Sequence, residues 1–399
     1  MKESGTVFPP SNCTGCGACL NACRAQAIEM IPDEEGFLFP HIDKEKCFQC
    51  GKCVRICPIN SRAVRNGDDA EVFAAWNLNE EIREESSSGG AFSALATSIL
   101  KADGVVFGAA YDPFPKVKHI MIEKETELFR LRGSKYVQSD TAWSFRRACE
   151  MLQQGRLVLF VGAPCQIHGL KNYLGKEYEN LLTCDFICHG VPSPSFFKSY
   201  AVFLCGKDIS DASYLNFRCK RSGWYDALRT VEFNSRKQLW VRGKRDYYFR
   251  GFNLNLSLRE SCYQCTEVGL ARLSDITLGD FWGIGRIEKL PQRKEIPRGI
   301  SLIIVHNKKA RNFLFSCSGS LQIHRRTLQE ALRANQPLIK PPLRPSGRDA
   351  FYADFKNLKF NDFYHKYLHG SIKMNLTAVG REYLPRFIIL WIRKLIRNI

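Results

Sequence analysis

Eight of the seventeen cysteines fall within the first 57 residues, and their spacing constrains the fold more than any other feature. Cys13, Cys16, Cys19 and Cys23 follow C-x2-C-x2-C-x3-C, and Cys47, Cys50, Cys53 and Cys57 repeat it, with Pro58 after the last. Residues 1–62 are poor in apolar runs, and so short a piece cannot bury enough surface to fold without a staple. Metal is the expected staple, because a chain kept in a reducing compartment holds its thiols free of disulfides. Three thiolates at this step wrap an iron–sulfur cube corner by corner. Tetrahedral zinc would use two CxxC pairs and leave the third cysteine without a purpose. Gly15, Gly17 and Gly51 suit the tight turns that bring backbone close to sulfur. The expected chemistry is single-electron transfer.

Charge narrows the partners. Lys plus Arg (58) exceed Asp plus Glu (40) by 18, a balance that suggests an anionic partner. No nucleic-acid recognition motif accompanies the charge, so nucleic acid is not expected. Each four-thiolate [4Fe-4S] site carries roughly −2 when oxidised, which gives part of the excess an internal use. The rest suits an anionic cofactor, an acidic redox protein or a small electron donor. Arg218, Lys220, Arg221, Arg242, Lys244 and Arg245 are candidates for a docking surface. No run of about 18 apolar residues occurs, and the N-terminus lacks a secretory core, so a cytoplasmic protein without a spanning helix is expected.

From Ser86 onward strand and helix signals alternate. SSSGGAFSALATSIL reads as a loop leading into a helix, GVVFGAAYD and RLVLFVGA as strands, PCQIHGLKNYLG as a helix and NLLTCDFICHG as a strand. The fold class is an α/β catalytic domain with a mixed or parallel sheet, preceded by a small ferredoxin-like α+β iron–sulfur domain. The expected division is 1–62 iron–sulfur domain, 63–85 linker, 86–320 catalytic domain, 321–383 helical extension and 384–399 basic amphipathic helix. In that last segment, Leu384, Phe387, Ile388, Trp391, Ile392 and Leu395 share one face, opposite Arg386, Arg393 and Arg397. It would lie on the inner membrane face or on the protein itself.

CYQC at Cys262 and Cys265 is half a metal site, a redox dithiol or chance. Cys165 and Cys188 lie just beyond buried strands, where parallel sheets converge on a ligand crevice. The four together make a candidate third [4Fe-4S] site, with Cys219 a rival ligand and a nucleophilic thiol the other reading of Cys165. Cys184 sits within its strand, and Cys149, Cys205 and Cys317 read as core residues. No G-x-G-x-x-G follows a strand, so a dinucleotide fold of that type is not expected. Ser88, Gly89 and Gly90 instead precede a helix whose N–H groups suit the phosphates of a flavin; a plain N-cap is the simpler reading. Lys135, His168 and His189 are candidate catalytic groups for proton supply or anion contact. Each also fits an ordinary structural role.

The N-terminal spacing resembles the bacterial two-cluster ferredoxins, apart from Arg24 where proline is usual. That resemblance implies one cluster on Cys13, Cys16, Cys19 and Cys57 and a second on Cys47, Cys50, Cys53 and Cys23. SSSGGAFSAL, RGSKYVQSD, VGAPCQIHGLK, ICHGVPSP, NFRCKRSGW, SCYQC and SDITLGDFWGI together resemble the coenzyme F-420 hydrogenase/dehydrogenase beta-subunit family. This implies FAD and an additional [4Fe-4S] cluster, with Ser88, Gly89, Gly90, Ser134, Lys135 and Tyr136 near the flavin and Asp280 and Trp282 shaping its pocket. The expected function is an iron–sulfur flavoprotein oxidoreductase linking one-electron clusters to a two-electron substrate, with surface polysaccharide synthesis a setting the resemblance suggests. The alternatives are an electron-relay beta subunit of a larger complex and an F-420-dependent dehydrogenase subunit.

Overall fold

The computed structural model describes residues 13–61, 70–241, 248–285, 287–290 and 292–368. The expected helix at Leu384–Ile399 lies outside them, as do Arg242, Lys244 and Arg245. Among the described residues, no helix is long and apolar enough to cross a membrane.

The N-terminal module consists of helix α1 (Ala18–Ala22), strands β1 (Ile28–Pro32) and β2 (Leu38–Ile42), and helix α2 (Lys52–Arg55). The strands form an antiparallel hairpin running from the Ile28–Ile42 pair to the Pro32–Leu38 pair. Gly17 (φ 76°) and Gly51 (φ 68°) start the two helices in the left-handed region that a side chain disfavours. The module's own apolar burial is slight, chiefly Leu20, Ala27, Ile28 and Phe37. Directed bonds to the rest of the chain supplement it. Asn21 Nδ2 donates to the Ala142 carbonyl (2.8 Å), and Arg146 donates to the carbonyls of Asn21 (2.7 Å) and Cys23 (2.5 Å).

The main domain continues with β3 (Glu71–Asn77), α3 (Glu80–Glu85), α4 (Ala91–Lys101), β4 (Val105–Tyr111), β5 (Val117–Ile122), α5 (Ser144–Gln153), β6 (Val158–Val161), α6 (Pro164–Leu174), β7 (Leu181–Phe186) and α7 (Pro194–Cys205). After β8 (Ala212–Cys219), β9 (Leu228–Phe233) and β10 (Gln238–Val241) come β11 (Ile276–Asp280), β12 (Ser301–Val305) and β13 (Leu321–Arg326). Eight strands form one mixed sheet in the order β13-β3-β12-β11-β7-β6-β4-β5. Its centre, β11-β7-β6-β4, is parallel. Val105, Val106 and Phe107 and then Val158, Leu159 and Phe160 are buried in succession, as strands covered on both faces require. On one face α4 presents Ala91, Ala94, Leu95 and Ile99 at helical spacing; on the other, α5 and α6 present Phe145, Ala148, Ile167 and Leu170. Strands β8–β10 form a second, three-stranded antiparallel sheet packed with α7 and the helix Arg348–Asn357.

Two expectations need correction. Glu71–Asn77, assigned to a linker, is an interior strand between β12 and β13. The EVFAAW run does read as a strand; what its charged flanks hide is its membership of the main sheet, because its partners β12 and β13 lie far along the chain. Leu321–Arg326, assigned to a helical extension, is the edge strand of the same sheet; the helices begin at Leu328.

Candidate functional site

The first cysteine set gathers Cys13, Cys16, Cys19 and Cys57 around one recess, each 7–8% exposed. Burial pushes the Cys16 thiol up to about 12, and neighbouring Cys13 and Cys57 push the same way. Thiols so raised stay protonated unless a cationic centre meets them, which is the condition a metal cluster supplies. In the second set, Cys47 and Cys50 act on the Cys53 thiol, and Cys23 packs in the same apolar cluster as Cys53. Here Cys50 is exposed and the other three are half-buried. Among the described residues no three His, Cys, Asp or Glu side chains are grouped to hold a single metal ion.

A third set converges from separate elements. Cys165 lies in the first turn of α6 just past β6, Cys188 follows β7, Cys262 lies within the 3-10 turn Glu260–Gln264, and Cys265 caps that turn. Burial raises the Cys165 thiol, and the charged neighbours acting on it are Cys188, Cys265, Cys16 and Cys262. Cys188, pushed up to about 12 by burial, feels Cys262 and Cys265. Cys219, the rival, closes β8 and is not among these leading neighbours. The first and third sets meet at α6. A Cβ on Gly169 would lie 3.0 Å from Cys16 Sγ, so α6, which carries Cys165 in its first turn, rests on Cys16 one turn later. Arg259 closes the junction. Its buried guanidinium donates to the carbonyls of Cys13 (2.7 Å) and Leu38 (3.1 Å) and stands 3.9 Å from the Phe39 ring centroid.

Beside these sets, at the carboxyl ends of the parallel strands, lies a cavity of about 700 Å3. Its wall includes Gly15, Cys165 and Cys188, together with the expected Ser88, Gly90, Ser134, Lys135, Tyr136, Asp280 and Trp282. The two motifs expected at the cofactor touch each other: Ser134 N and Oγ lie 2.8 and 3.1 Å from Ser87 Oγ. Asp280 accepts from Trp224 Nε1 (2.7 Å) and Arg218 (3.3 Å), and Trp282 stacks on Trp224 at 5.0 Å. Lys135 Nζ donates to the Arg130 and Arg132 carbonyls at 3.0 and 2.7 Å, and burial lowers its pKa to about 7. His189 lines the cavity with Nε2 2.7 Å from Asn255 Oδ1, and burial lowers its pKa.

Other residues stand elsewhere than expected. His168 is not on the cavity wall; its Nδ1 lies 2.9 Å from Glu267 and its Nε2 3.0 Å from Ser61, riveting the module's end to α6. Gly89 is also off the wall. A side chain there would meet Ala75 O at 2.4 Å and Ser301 N at 2.6 Å, so glycine permits close packing. Arg218 and Lys220 are turned inward, not onto a docking surface, while Arg221 is exposed. Lys220 Nζ donates to the carbonyls of Arg83, Ser88 (2.7 Å) and Arg298 (2.8 Å), fixing the Ser88 loop from behind. Three buried polar atoms in side chains that line the cavity have no partner among the described residues: Gln138 Nε2 and Arg218 Nε, within RGSKYVQSD and NFRCKRSGW, and His119 Nδ1, which no motif marks. One acceptor and two donors suit a polar, anionic ligand.

Comparison with known proteins agrees with this layout. Residues 155–330 match the C-terminal model of the coenzyme F420 hydrogenase/dehydrogenase beta subunit, 72–145 match its N-terminal model, and 12–61 match a 4Fe-4S dicluster domain. The chain belongs to the coenzyme F420 hydrogenase/dehydrogenase beta-subunit family. As a member, it is an iron–sulfur electron-transfer protein. One of the subunits of F(420)H(2) dehydrogenase from Methanosarcina mazei is 24% identical over 177 residues, 40% of this chain and 47% of that one. The chain thus spans about half the length of that relative. A ferredoxin from Pyrobaculum islandicum is 34% identical over 77 residues, covering 19% of this chain and 68% of the ferredoxin. A chain of the F420-reducing [NiFe] hydrogenase complex from Methanosarcina barkeri superposes with a TM-score of 0.45 at 16% identity, covering 71% of this chain and 97% of that one.

Proposed function

We propose that this beta-subunit family member is an iron–sulfur flavoprotein oxidoreductase that exchanges electrons between three [4Fe-4S] clusters and a two-electron substrate at FAD. The observation that carries the reading is the cavity wall, which joins Gly15 of the first cysteine loop to Cys165 and Cys188 of the third set. In this reading Cys47, Cys50, Cys53 and Cys23 hold the outer cluster, and Cys13, Cys16, Cys19 and Cys57 the inner one. Cys165, Cys188, Cys262 and Cys265 hold the third. Bound in the cavity, a flavin supplies the conversion between single electrons and a hydride. Ser87, Ser88, Gly90 and the start of α4 would face its phosphates, because unpaired N–H groups and the helix dipole favour an anion there. Lys220 holds that loop, and Arg218 adds a buried cation. Lys135, with its pKa near neutrality, can give up or take a proton at Nζ without leaving its carbonyl partners.

A second reading is an electron-relay component of a larger complex. The exposure of Cys50 favours it, since a partner can approach the outer set, and so does the name of the M. mazei relative, which makes that protein one part of a dehydrogenase acting on F420H2. Dependence on F420 belongs to the same reading. A link to surface polysaccharide synthesis has no support in the cavity lining or in the relatives' names. Anaerobic purification with iron, sulfide and flavin counted per chain tests the first reading. About twelve irons and one FAD are expected, whereas eight irons would remove the third cluster. Substrate-dependent flavin turnover without any partner separates the enzyme from the relay.

A further inference from the structure

His119 lies on β5, is 6% exposed and lines the cavity. Its Nε2 is 3.0 Å from the Val161 carbonyl, which can only accept, so Nε2 carries the hydrogen. The ring stacks on Phe160 at 5.6 Å, which fixes its plane. Burial, reinforced by Lys135, lowers its pKa to about 4, so the ring is neutral and Nδ1 is a bare acceptor. That atom has no partner among the described residues. A buried acceptor left unpaired costs free energy, so the site is built for a donor that arrives with a ligand.

The oxidised isoalloxazine ring has one ring N–H, at N3, flanked by two carbonyls. Gln138 Nε2, also unpaired and in a side chain on the cavity wall, is a donor of the kind such a carbonyl needs. We propose that His119 binds the flavin directly, with Nδ1 accepting the imide N3–H. This rests on the flavin reading above.

Two variants separate ligand contact from structural support. His119→Gln keeps a donor for Val161 and loses the acceptor at Nδ1; His119→Asn keeps the acceptor and loses the Val161 bond. Full-length protein is purified without oxygen, iron per chain is measured as the folding check, and flavin released on dilution is read by its fluorescence. His119→Gln is expected to weaken FAD binding about tenfold, or about 1.4 kcal/mol, and His119→Asn to stay within about threefold of wild type. Wild-type affinity in His119→Gln overturns the contact. Should that variant fail to fold, N3-methyl-FAD on wild-type protein decides: about tenfold weaker binding than FAD supports the contact, and equal binding overturns it. Wild-type protein that takes up no flavin at all overturns the flavin reading and this inference with it.

Discussion

The two N-terminal cysteine sets share one spacing and differ in their surroundings. The inner set is buried under α6 and tied by Arg259; the outer one keeps Cys50 exposed, beside Phe48 (65% exposed) and Val54 (44%). Identical ligands can therefore serve different tasks, because surroundings rather than spacing decide who reaches the metal. The outer set suits arrival of an electron carrier, and the inner one suits transfer onward to the cavity.

The strongest break of this contrast is a pair of ligand variants. Cys16→Ser and Cys50→Ser are each expected to lose about four irons of twelve. With a viologen dye as donor, stopped-flow reduction of the flavin proposed for the cavity should persist in Cys50→Ser and fail in Cys16→Ser. Equal rates would abolish the inner–outer order. Stability sharpens the contrast next. Arg259→Met leaves buried carbonyls unpaired and should lower stability by roughly 3 kcal/mol in urea unfolding. Arg55→Met, which loses only an exposed bond to the Cys50 carbonyl (3.1 Å), should cost less than about 0.5 kcal/mol. Glycines give a smaller difference by the same measurement. Gly169→Leu should cost about 1–3 kcal/mol through collision with Cys16. Gly51→Ala, whose Cβ would meet only Arg55 Nη1 at 3.2 Å, should cost about 1 kcal/mol of backbone strain.

The smallest effect is in pH dependence. Lys135 has a folded pKa of about 7 against an ordinary 10.5, so above pH 7 the unfolded chain binds the extra proton. Stability should rise from pH 7 toward 10.5, and Lys135→Met should flatten that rise in urea titrations. Lys46, exposed near the outer set and paired with Asp43 at 3.0 Å, has a raised pKa and acts with the opposite sign.

Much of this layout was legible because it depends on local rules. Cysteine spacing marks the module and the CYQC pair, and the strand-end rule placed Cys165 and Cys188 at the crevice, where Cys262 and Cys265 are among their neighbours. Residues whose meaning depends on distant partners were not legible. Lys220 looked like a surface cation because nothing nearby announces the carbonyls of Arg83 and Arg298, contributed by segments 137 and 78 residues away. His119 sits in an ordinary strand, and only the ring's neighbours reveal an acceptor with nothing to accept. Glu71–Asn77 reads as a strand but was placed in a linker for the same reason, since its partners β12 and β13 lie more than two hundred residues downstream.

Arg146, Asn21, Thr141 and Arg259 together bind the module to the main domain through backbone carbonyls at several separate points. To swing the module away as a mobile arm, the chain would have to break all of these bonds at once. On the proposed route, the gap from Cys16 to Cys165 is therefore a fixed ruler, set by one turn of α6. Throughput along such a ruler answers to how often a carrier arrives outside, not to any stroke of the protein within.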